Sequence, residues 1–314
     1  MKQQTIRKKI TFEGTGLHTG RQVKMVVEPA PEGAGICFKR TDIPGQPVLP
    51  ALASYVVNTD RSTVLGHGHE HEHEHVQVST VEHLMAAFYG MGIDNVCISL
   101  NGPEVPVLDG SALPFAQAIH HVGIVEQQEE IDYFRPKTPI IYEEKNSGTF
   151  IKVEPAEDFS LSLCIDFSSD VVGRQEYTCS AETDFIKELA PARTFVFLDQ
   201  ILPLFKKGLV QGGHLDNALV IAEKKVSEED MEWLRTMYKQ PGIIPDVGYI
   251  NKEGLRFPNE CARHKAVDLI GDLMLAGKRI CASVCAYKPG HKANVAVARM
   301  IKNQCLPNRN ETKT

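Results

Sequence analysis

Three residues that can bind a metal or carry protons recur four positions apart between Arg263 and Asp272. His264, Asp268 and Asp272 would lie on one row of an α-helix, because a helix turns by about 100° per residue. Apolar residues between them gather on the opposite side, which predicts that this helix packs against a core. An imidazole nitrogen and a carboxylate oxygen one turn apart suit a borderline metal such as zinc. The alternative is a solvated helix face, since charged rows on amphipathic helices are common.

A second reactive pair, Glu82 and His83, opens another predicted helix that carries an apolar stripe. In a metal-dependent hydrolase the histidine would bind the ion and the glutamate would accept a proton from water. The alternative is a capping box, because Ser79 precedes Glu82 by three residues and Glu82 would then reach back to a backbone amide. Taken alone, this short pattern favours the cap.

A histidine-glutamate run at residues 67–75 formally matches the H-E-x-x-H pattern of zinc hydrolases. That pattern needs apolar spacers that bury the rest of a helix, whereas here histidine alternates with glycine or glutamate. We therefore expect a solvated loop or hairpin that binds metal adventitiously and carries no catalysis.

The amino-acid composition limits the classes of protein to which the chain can belong. The 314 residues are 42% hydrophobic and 24% charged, which suits a folded chain of two domains. The formal charge of −6 disfavours nucleic acid as a partner. None of the eight cysteines forms a C-x-x-C pair, which indicates thiols in a reducing compartment. No apolar run resembles a secretory signal or a membrane span, so we expect a cytoplasmic protein without a transmembrane segment.

The order of predicted elements divides the chain in two. Alternating polar and apolar residues predict a β-hairpin over residues 5–40, and the polar stretch from Gln127 to Pro136 predicts a boundary. After it, Val153-Glu154-Pro155-Ala156 and Cys164 echo Val27-Glu28-Pro29-Ala30 and Cys37. We predict an α+β fold of two domains with a similar two-layer β/α sandwich plan and the active site between them. The predicted domains are residues 1–130 and 131–306, followed by a polar tail at 307–314.

Two further segments each have two interpretations, and one further histidine is expected to be exposed. The glycine-rich loop from Gly14 to Gly20 surrounds His18 and either approaches a ligand closely or simply turns. Residues 192–221 are rich in large apolar side chains, which suit core packing or a groove for an alkyl chain. His291 follows a Pro-Gly turn, where we do not expect burial.

Together these motifs resemble the zinc-dependent UDP-3-O-acyl-N-acetylglucosamine deacetylase family of lipid A biosynthesis. The likeness rests on Thr80-Val81-Glu82-His83, on Arg263 to Asp268 and on Lys288-Pro289-Gly290-His291, which follow one another in order. The glycine-rich loop and Ala192-Arg193-Thr194-Phe195 support it. No single motif is specific, but five in register are.

The resemblance implies one Zn²⁺ held by His83, His264 and Asp268, with the fourth position left to water. Glu82 would be the general base that takes a proton from that water. The substrate would be an acylated UDP-sugar, and the reaction would be hydrolysis of its acetamide.

The resemblance also implies roles for residues around the metal. His291 would be the general acid toward the departing amine, and Asp272 would orient it. Thr194 would donate a hydrogen bond to the tetrahedral oxyanion. Lys265 and Lys288 would contact the diphosphate. The residues implied to line the acyl passage are Leu17, Phe195, Ile201, Val210 and Leu215.

The resemblance leaves some points open. A further phosphate-directed lysine is expected early in the second domain, but Lys145 and Lys152 compete for that place. The run at residues 67–75 lies outside the family pattern, and some members continue into a dehydratase domain. We expect a monomer, and loose membrane association remains open. The competing functions are another zinc amidohydrolase using the same ligands, and a metal-storage or metal-delivery protein using the histidine-rich run.

Overall fold

The computed structural model describes residues 1–67, 76–206, 212–238 and 247–305. Its α-helices in these ranges are α1 (Glu82–Gly90), α2 (Leu113–Val122), α3 (Leu198–Lys206), α4 (Glu228–Tyr238), α5 (Glu260–Met274) and α6 (His291–Cys305). The strands of the first half are β1 (Lys2–Ile6), β2 (Ile10–Thr15), β3 (Gln22–Pro29), β4 (Ile36–Arg40), β5 (Val48–Pro50), β6 (Val56–Asn58), β7 (Val64–His67), β8 (Val76–Val78), β9 (Val96–Leu100) and β10 (Ile124–Glu130). Those of the second half are β11 (Ile140–Glu144), β12 (Thr149–Pro155), β13 (Ser160–Asp166), β14 (Arg174–Ser180), β15 (Phe195–Phe197), β16 (Leu219–Ala222), β17 (Gly248–Tyr249) and β18 (Ala282–Tyr287).

Two five-stranded sheets organise these elements and share one topology. Their strand orders are β2-β3-β9-β4-β5 and β11-β12-β18-β13-β14. In both sheets the strand that comes last in sequence is inserted between the second and third, antiparallel to the second and parallel to the third. The predicted α+β class, with two units of similar plan, is therefore confirmed. Strand β10 pairs with β1, so the chain returns to its beginning before β11 starts the second sheet.

The short sequence repeat is only partly a structural repeat. Pro29 ends β3 and pairs with the first residue of β9, and Pro155 ends β12 and pairs with the first residue of β18. Cys37 lies opposite the second residue of β9, whereas Cys164 lies opposite the last residue of β18. The Val-Glu-Pro repeat thus marks equivalent positions in the two sheets. The predicted equivalence of Cys37 and Cys164 is wrong, because the two cysteines pair with different positions of the central strand. All eight cysteines are free thiols, as the composition predicted.

Helices α1 and α5 lie within one continuous apolar core that includes residues of both five-stranded sheets. Helix α1 is buried from Glu82 to Phe88, which fits a sequence that is apolar nearly all round. Helices α1 and α5 cross where Gly271 of α5 lies against the backbone of Glu82 in α1. A side chain at position 271 would overlap that backbone. The two helices that carry the predicted metal ligands are therefore neighbours.

A smaller sheet of order β15-β16-β17 packs with α3 and α4 around a second apolar cluster. This cluster contains Leu198, Ile201, Leu215, Val220 and Met231, and Leu17 of the first half packs against it. The apolar segment noted in the sequence therefore contributes to both clusters, since Phe197 and Ile221 belong to the main core. No helix in the described ranges is long and apolar enough to cross a membrane.

Candidate metal centre

The predicted ligand set is brought together at the crossing of α1 and α5. His83 is the second residue of α1, and His264 and Asp268 follow one another by one turn in α5. One ligand atom from each residue lies within 4.8 Å of the others. Each residue is at most 4% exposed. The alternative of a solvated face for this row is wrong, because α5 is buried on nearly all sides.

The chemistry of this set fits a cation. His264 Nδ1 lies 3.2 Å from the carbonyl oxygen of Ala192 and donates its hydrogen there, which leaves a lone pair on Nε2. That Nε2 stands 3.2 Å from Oδ1 of Asp268, and Nε2 of His83 stands 3.6 Å from the same oxygen. Oδ1 is buried and accepts no hydrogen bond from any described residue. Acceptors gathered this closely need a positive charge between them, and zinc matches their types.

The ionisation of these groups suits metal binding. Burial lowers the pKa of His83, which favours the neutral imidazole. Burial opposes ionisation of Asp268, but His264 and Lys265 hold the pKa of this carboxyl well below its usual range. The Lys265 ammonium lies 2.8 Å from Asp268 Oδ2, opposite the free oxygen. The neutral His83 imidazole and the ionised Asp268 carboxylate are the forms that coordinate metals.

Glu82 enters the same space from the first residue of α1. Its carboxylate is 2% exposed, and burial raises the pKa of Glu82 to about 7. Oε2 accepts a hydrogen bond of 3.0 Å from the backbone N–H of Thr63. The capping box is wrong, because Ser79 donates its hydroxyl to the carbonyl of Pro103 and no side chain caps α1. Glu82 is thus a buried carboxyl beside the ligand set.

His291 is the first residue of α6, and its side chain is only 9% exposed. The expectation that the Pro-Gly turn leaves it unburied is wrong, because the imidazole points inward toward the ligand set. Nδ1 lies 2.9 Å from Asp272 Oδ2, and Nε2 lies 3.9 Å from Glu82 Oε1. Burial disfavours the imidazolium, but the carboxylates of Asp272, Glu82 and Asp268 raise the pKa of His291 to about 9. The centre therefore contains a carboxyl able to take a proton and an imidazolium able to give one.

A cavity of about 290 Å³ opens onto these groups. Predicted residues that line it, besides Glu82, His83, His264, Asp268 and His291, are Leu17, Thr194, Phe195, Ile201 and Lys265. The Lys265 ammonium lies 5.5 Å from the centroid of the Phe195 ring. The cavity lining thus combines charged groups with apolar side chains, and Phe195 lies beside both Lys265 and His264.

Two of the residues predicted to contact the substrate lie outside the cavity lining. Leu215 packs in the second apolar cluster and does not line the cavity. Lys288 is also outside the lining, with its ammonium 3.4 Å from a carboxylate oxygen of Asp166. Val210, like residues 68–75 of the histidine-glutamate run, lies outside the described residues.

A buried ion pair missed by sequence reasoning fixes the segment that carries Thr194. Arg193 Nε lies 2.9 Å from Oε1 of Glu260, the first residue of α5, and the Arg193 backbone N–H donates to the same oxygen at 3.0 Å. This ties residues 192–194 to the start of α5, so that Ala192 meets His264 and Thr194 lines the cavity. No local sequence pattern indicates this ion pair, because Arg193 and Glu260 are distant in sequence.

Glu104 is a second residue that sequence reasoning missed. Its fully buried carboxylate accepts four hydrogen bonds, from the backbone N–H of His18 and Thr19 and from the hydroxyls of Thr19 and Thr80. These donors belong to the glycine-rich loop and to the residue two positions before Glu82. Glu104 therefore fixes two parts of the cavity wall to each other, and only its place in a turn-rich segment hints at this.

The chain is similar to known proteins over nearly its whole length. A family model described as UDP-3-O-acyl N-acetylglycosamine deacetylase matches residues 3–237 and 234–303. A bifunctional enzyme LpxC/FabZ of Bacteroides thetaiotaomicron is 42% identical over 305 residues, which cover 97% of this chain and 65% of that protein. The chain thus spans less than two thirds of that relative's length. The UDP-3-O-acyl-N-acetylglucosamine deacetylase of Myxococcus xanthus is 39% identical over 302 residues, 95% of this chain and 86% of the relative.

Proposed function

Since the chain belongs to the UDP-3-O-acyl-N-acetylglucosamine deacetylase family, we propose that it removes the N-acetyl group from UDP-3-O-acyl-N-acetylglucosamine. In lipid A biosynthesis this hydrolysis is the committed step. The observation that carries the proposal is the buried His83, His264 and Asp268 set, with Glu82 and His291 beside it. Sequence similarity supports membership of the family, whereas this arrangement of side chains supports metal-dependent hydrolysis.

The residues that would hold the metal are His83, His264 and Asp268. When bound, zinc supplies Lewis-acid chemistry, because it polarises the amide carbonyl and acidifies water. Glu82 takes the proton of the attacking water, and a pKa near 7 matches a general base that works at neutral pH. His291, protonated at neutral pH, gives its Nε2 proton to the departing amine nitrogen.

Two residues assist these proton transfers. Asp272 accepts the Nδ1 hydrogen of His291, so that Nε2 points toward Glu82 and the ligand set. Thr194 lines the cavity, from where its hydroxyl would donate a hydrogen bond to the former carbonyl oxygen of the acetamide, which becomes negatively charged when water attacks the carbon. The products are acetate and a free amine, and one water is consumed.

Substrate recognition would use both the apolar and the charged residues of the cavity lining. Leu17, Phe195 and Ile201 offer an apolar surface to an acyl chain, and the second apolar cluster, which contains Ile201 and Leu215, packs behind it. Lys265, whose ammonium lies 2.8 Å from Asp268 Oδ2, would attract the diphosphate. The roles of Lys288 and Val210 rest on the family resemblance alone.

The experiment is acetate release from the acylated UDP-sugar, with metal content measured on the same sample. Glu82→Ala should keep one zinc per chain and lose acetate release, because the base is removed and the ligands remain. Glu13→Ala, an exposed carboxylate distant from the cavity, is the matched control and should retain wild-type activity. Full activity of Glu82→Ala would refute the base assignment.

Competition separates this function from another amidohydrolase with the same ligands. UDP together with a long-chain amphiphile should inhibit acetate release if the cavity binds an acylated nucleotide sugar. Hydrolysis that is indifferent to both compounds, and active on simple acetamides instead, would favour the alternative hydrolase.

A further inference from the structure

Thr63 contacts both proton-transfer groups at once, although it lies in neither of their helices. This residue is fully buried and immediately precedes β7. Its backbone N–H donates to Glu82 Oε2 at 3.0 Å, and its hydroxyl donates to Asp272 Oδ1 at 2.6 Å. One residue thus connects the first turn of α1 to the last turns of α5.

We propose that Thr63 is a positioning residue that sets the general base and the general acid in their relative places. This inference rests on the proposed deacetylation. Thr63 acts on the base directly through its N–H, and on the acid through the carboxylate of Asp272.

The hydrogen bonds of Asp272 show why the hydroxyl matters. Oδ2 is shared by Nδ1 of His291 and Nδ2 of Asn294, each at 2.9 Å. Oδ1 is left for Thr63, whose oxygen lies 3.3 Å from His291 Nδ1, a longer approach than the 2.6 Å to Asp272. Three donors hold the fully buried carboxylate in one orientation, and that orientation directs the Nε2 of His291 into the cavity.

The electrostatics favour the same role. Glu82 and Asp272 are both buried carboxyls, and the negative charge of Asp272 acts on Glu82. Like charges repel strongly where water is excluded, so their proximity needs donors that contact both. Thr63 supplies one donor to each carboxyl, from two atoms of a single residue whose separation varies only with rotation about χ1, which is restricted in a β-branched side chain.

The experiment compares Thr63→Val, which keeps the shape and removes the hydroxyl, with Thr63→Ser, which restores it. We expect Thr63→Val to lower kcat about 10- to 100-fold, since a hydrogen bond to a charged group is lost. KM and zinc content should stay near wild type, and Thr63→Ser should recover most of kcat. Thr63→Ala gives the same comparison with Thr63→Ser if the valine variant does not fold.

Thr5→Val is the matched control. The Thr5 hydroxyl is buried and donates at 2.6 Å to the carbonyl of Asn95, far from the ligand set. Neither Thr5 nor Asn95 lines the cavity, so loss of this hydroxyl should reduce the free energy of unfolding and leave kcat unchanged. If both valine variants lose kcat in proportion to their loss of stability, Thr63 is merely structural and the inference is overturned.

A double-mutant cycle tests the pathway of the effect. If Thr63 acts on the acid through Asp272, adding Thr63→Val to Asp272→Asn should lower kcat by less than Thr63→Val does alone. Fully additive losses would overturn this route.

The NMR resonance of the His291 Nδ1 hydrogen distinguishes this inference from the proposed function. It should shift in Thr63→Val and stay in place in Thr5→Val, whether or not the wild type releases acetate. A wild type without acetate release refutes the deacetylase, whereas an unmoved resonance and an unchanged kcat in Thr63→Val refute only the role of Thr63.

Discussion

Gly271 of α5 lies directly against the backbone carbonyl of Glu82 in α1, and a Cβ at position 271 would overlap that oxygen. Because the obstacle is backbone, no side-chain rotation can relieve the overlap. The two helices that hold His83, His264 and Asp268 approach at this crossing. The spacing of the ligand set therefore depends on the absence of a side chain at one position.

Gly271→Ala should separate α1 from α5 and weaken metal binding. Alanine favours a helix by about 1 kcal/mol over glycine, but overpacking at a buried contact costs about 1–3 kcal/mol, so we expect net destabilisation. Zinc affinity, measured by competition with a chelator, should fall together with acetate release. Gly290→Ala is the control, because a Cβ there meets no atom within 4 Å. Unchanged zinc affinity in Gly271→Ala would contradict the importance of this crossing.

Glu104→Gln should loosen the wall of the cavity. The amide replaces one acceptor oxygen of a buried carboxylate that accepts four hydrogen bonds, so at least one donor among His18, Thr19 and Thr80 loses its partner. We expect the free energy of unfolding in urea to fall by about 1–3 kcal/mol and KM to rise. Glu13→Gln, which breaks only an exposed pair with Lys24, should change stability by less than about 0.5 kcal/mol. Equal effects of the two substitutions would refute this role of Glu104.

Glu82 and His291 should together make the stability of the metal-free protein fall as pH rises between about 4.5 and about 9, against the opposite contribution of His83, whose pKa burial lowers. Burial raises the pKa of Glu82 to about 7, and neighbouring carboxylates raise the pKa of His291 to about 9 despite burial. In this window these two groups keep protons in the native state that they release in the unfolded chain, so they make the free energy of unfolding decrease with pH. Asp268, whose pKa is depressed, acts only at lower pH, where its protonation removes stability.

Urea unfolding at several pH values, with a chelator present, measures this slope. Glu82→Gln should flatten it mainly between about pH 4.5 and 7, and His291→Gln mainly between about 6.5 and 9. A slope that is the same in the wild type and in both variants would contradict the raised pKa values of these two buried groups.

Metal stoichiometry separates the catalytic site from the histidine-glutamate run. Deletion of residues 68–75 should leave one tightly bound zinc per chain and preserve acetate release, because none of the three proposed ligands lies in that segment. His264→Ala should instead lose the tight ion, and with it the thermal stabilisation that zinc gives. If the deletion removes all bound metal while His264→Ala removes none, the metal-storage function would replace the enzyme.

Local spacing explains which features could be predicted from the sequence. His264 and Asp268 are one helical turn apart, so their convergence follows from helix geometry, and strand alternation predicted β2 and β3. The pairing of His83 with them is a contact between distant parts of the chain, and it came from the family resemblance. The topology shared by the two sheets was visible only as one short echo.

Features that arise from tertiary packing could not be predicted. His291 follows a turn that usually lies on the surface, yet the burial of its imidazole depends on Asp272 in another helix. Thr63 and Glu104 act through backbone amides and hydroxyls of remote segments, and neither position has a sequence pattern of its own. A single polar residue becomes informative only when its partners are known.

The two halves of the chain repeat one sheet topology, but His83 comes from the first half and His264 and Asp268 from the second. Neither half contains all three proposed ligands, so the proposed reaction centre forms only where the two halves meet, as in a dimeric enzyme with a shared site. The covalent link between β10 and β11 takes the place of dimerisation, and it makes assembly of the centre independent of protein concentration.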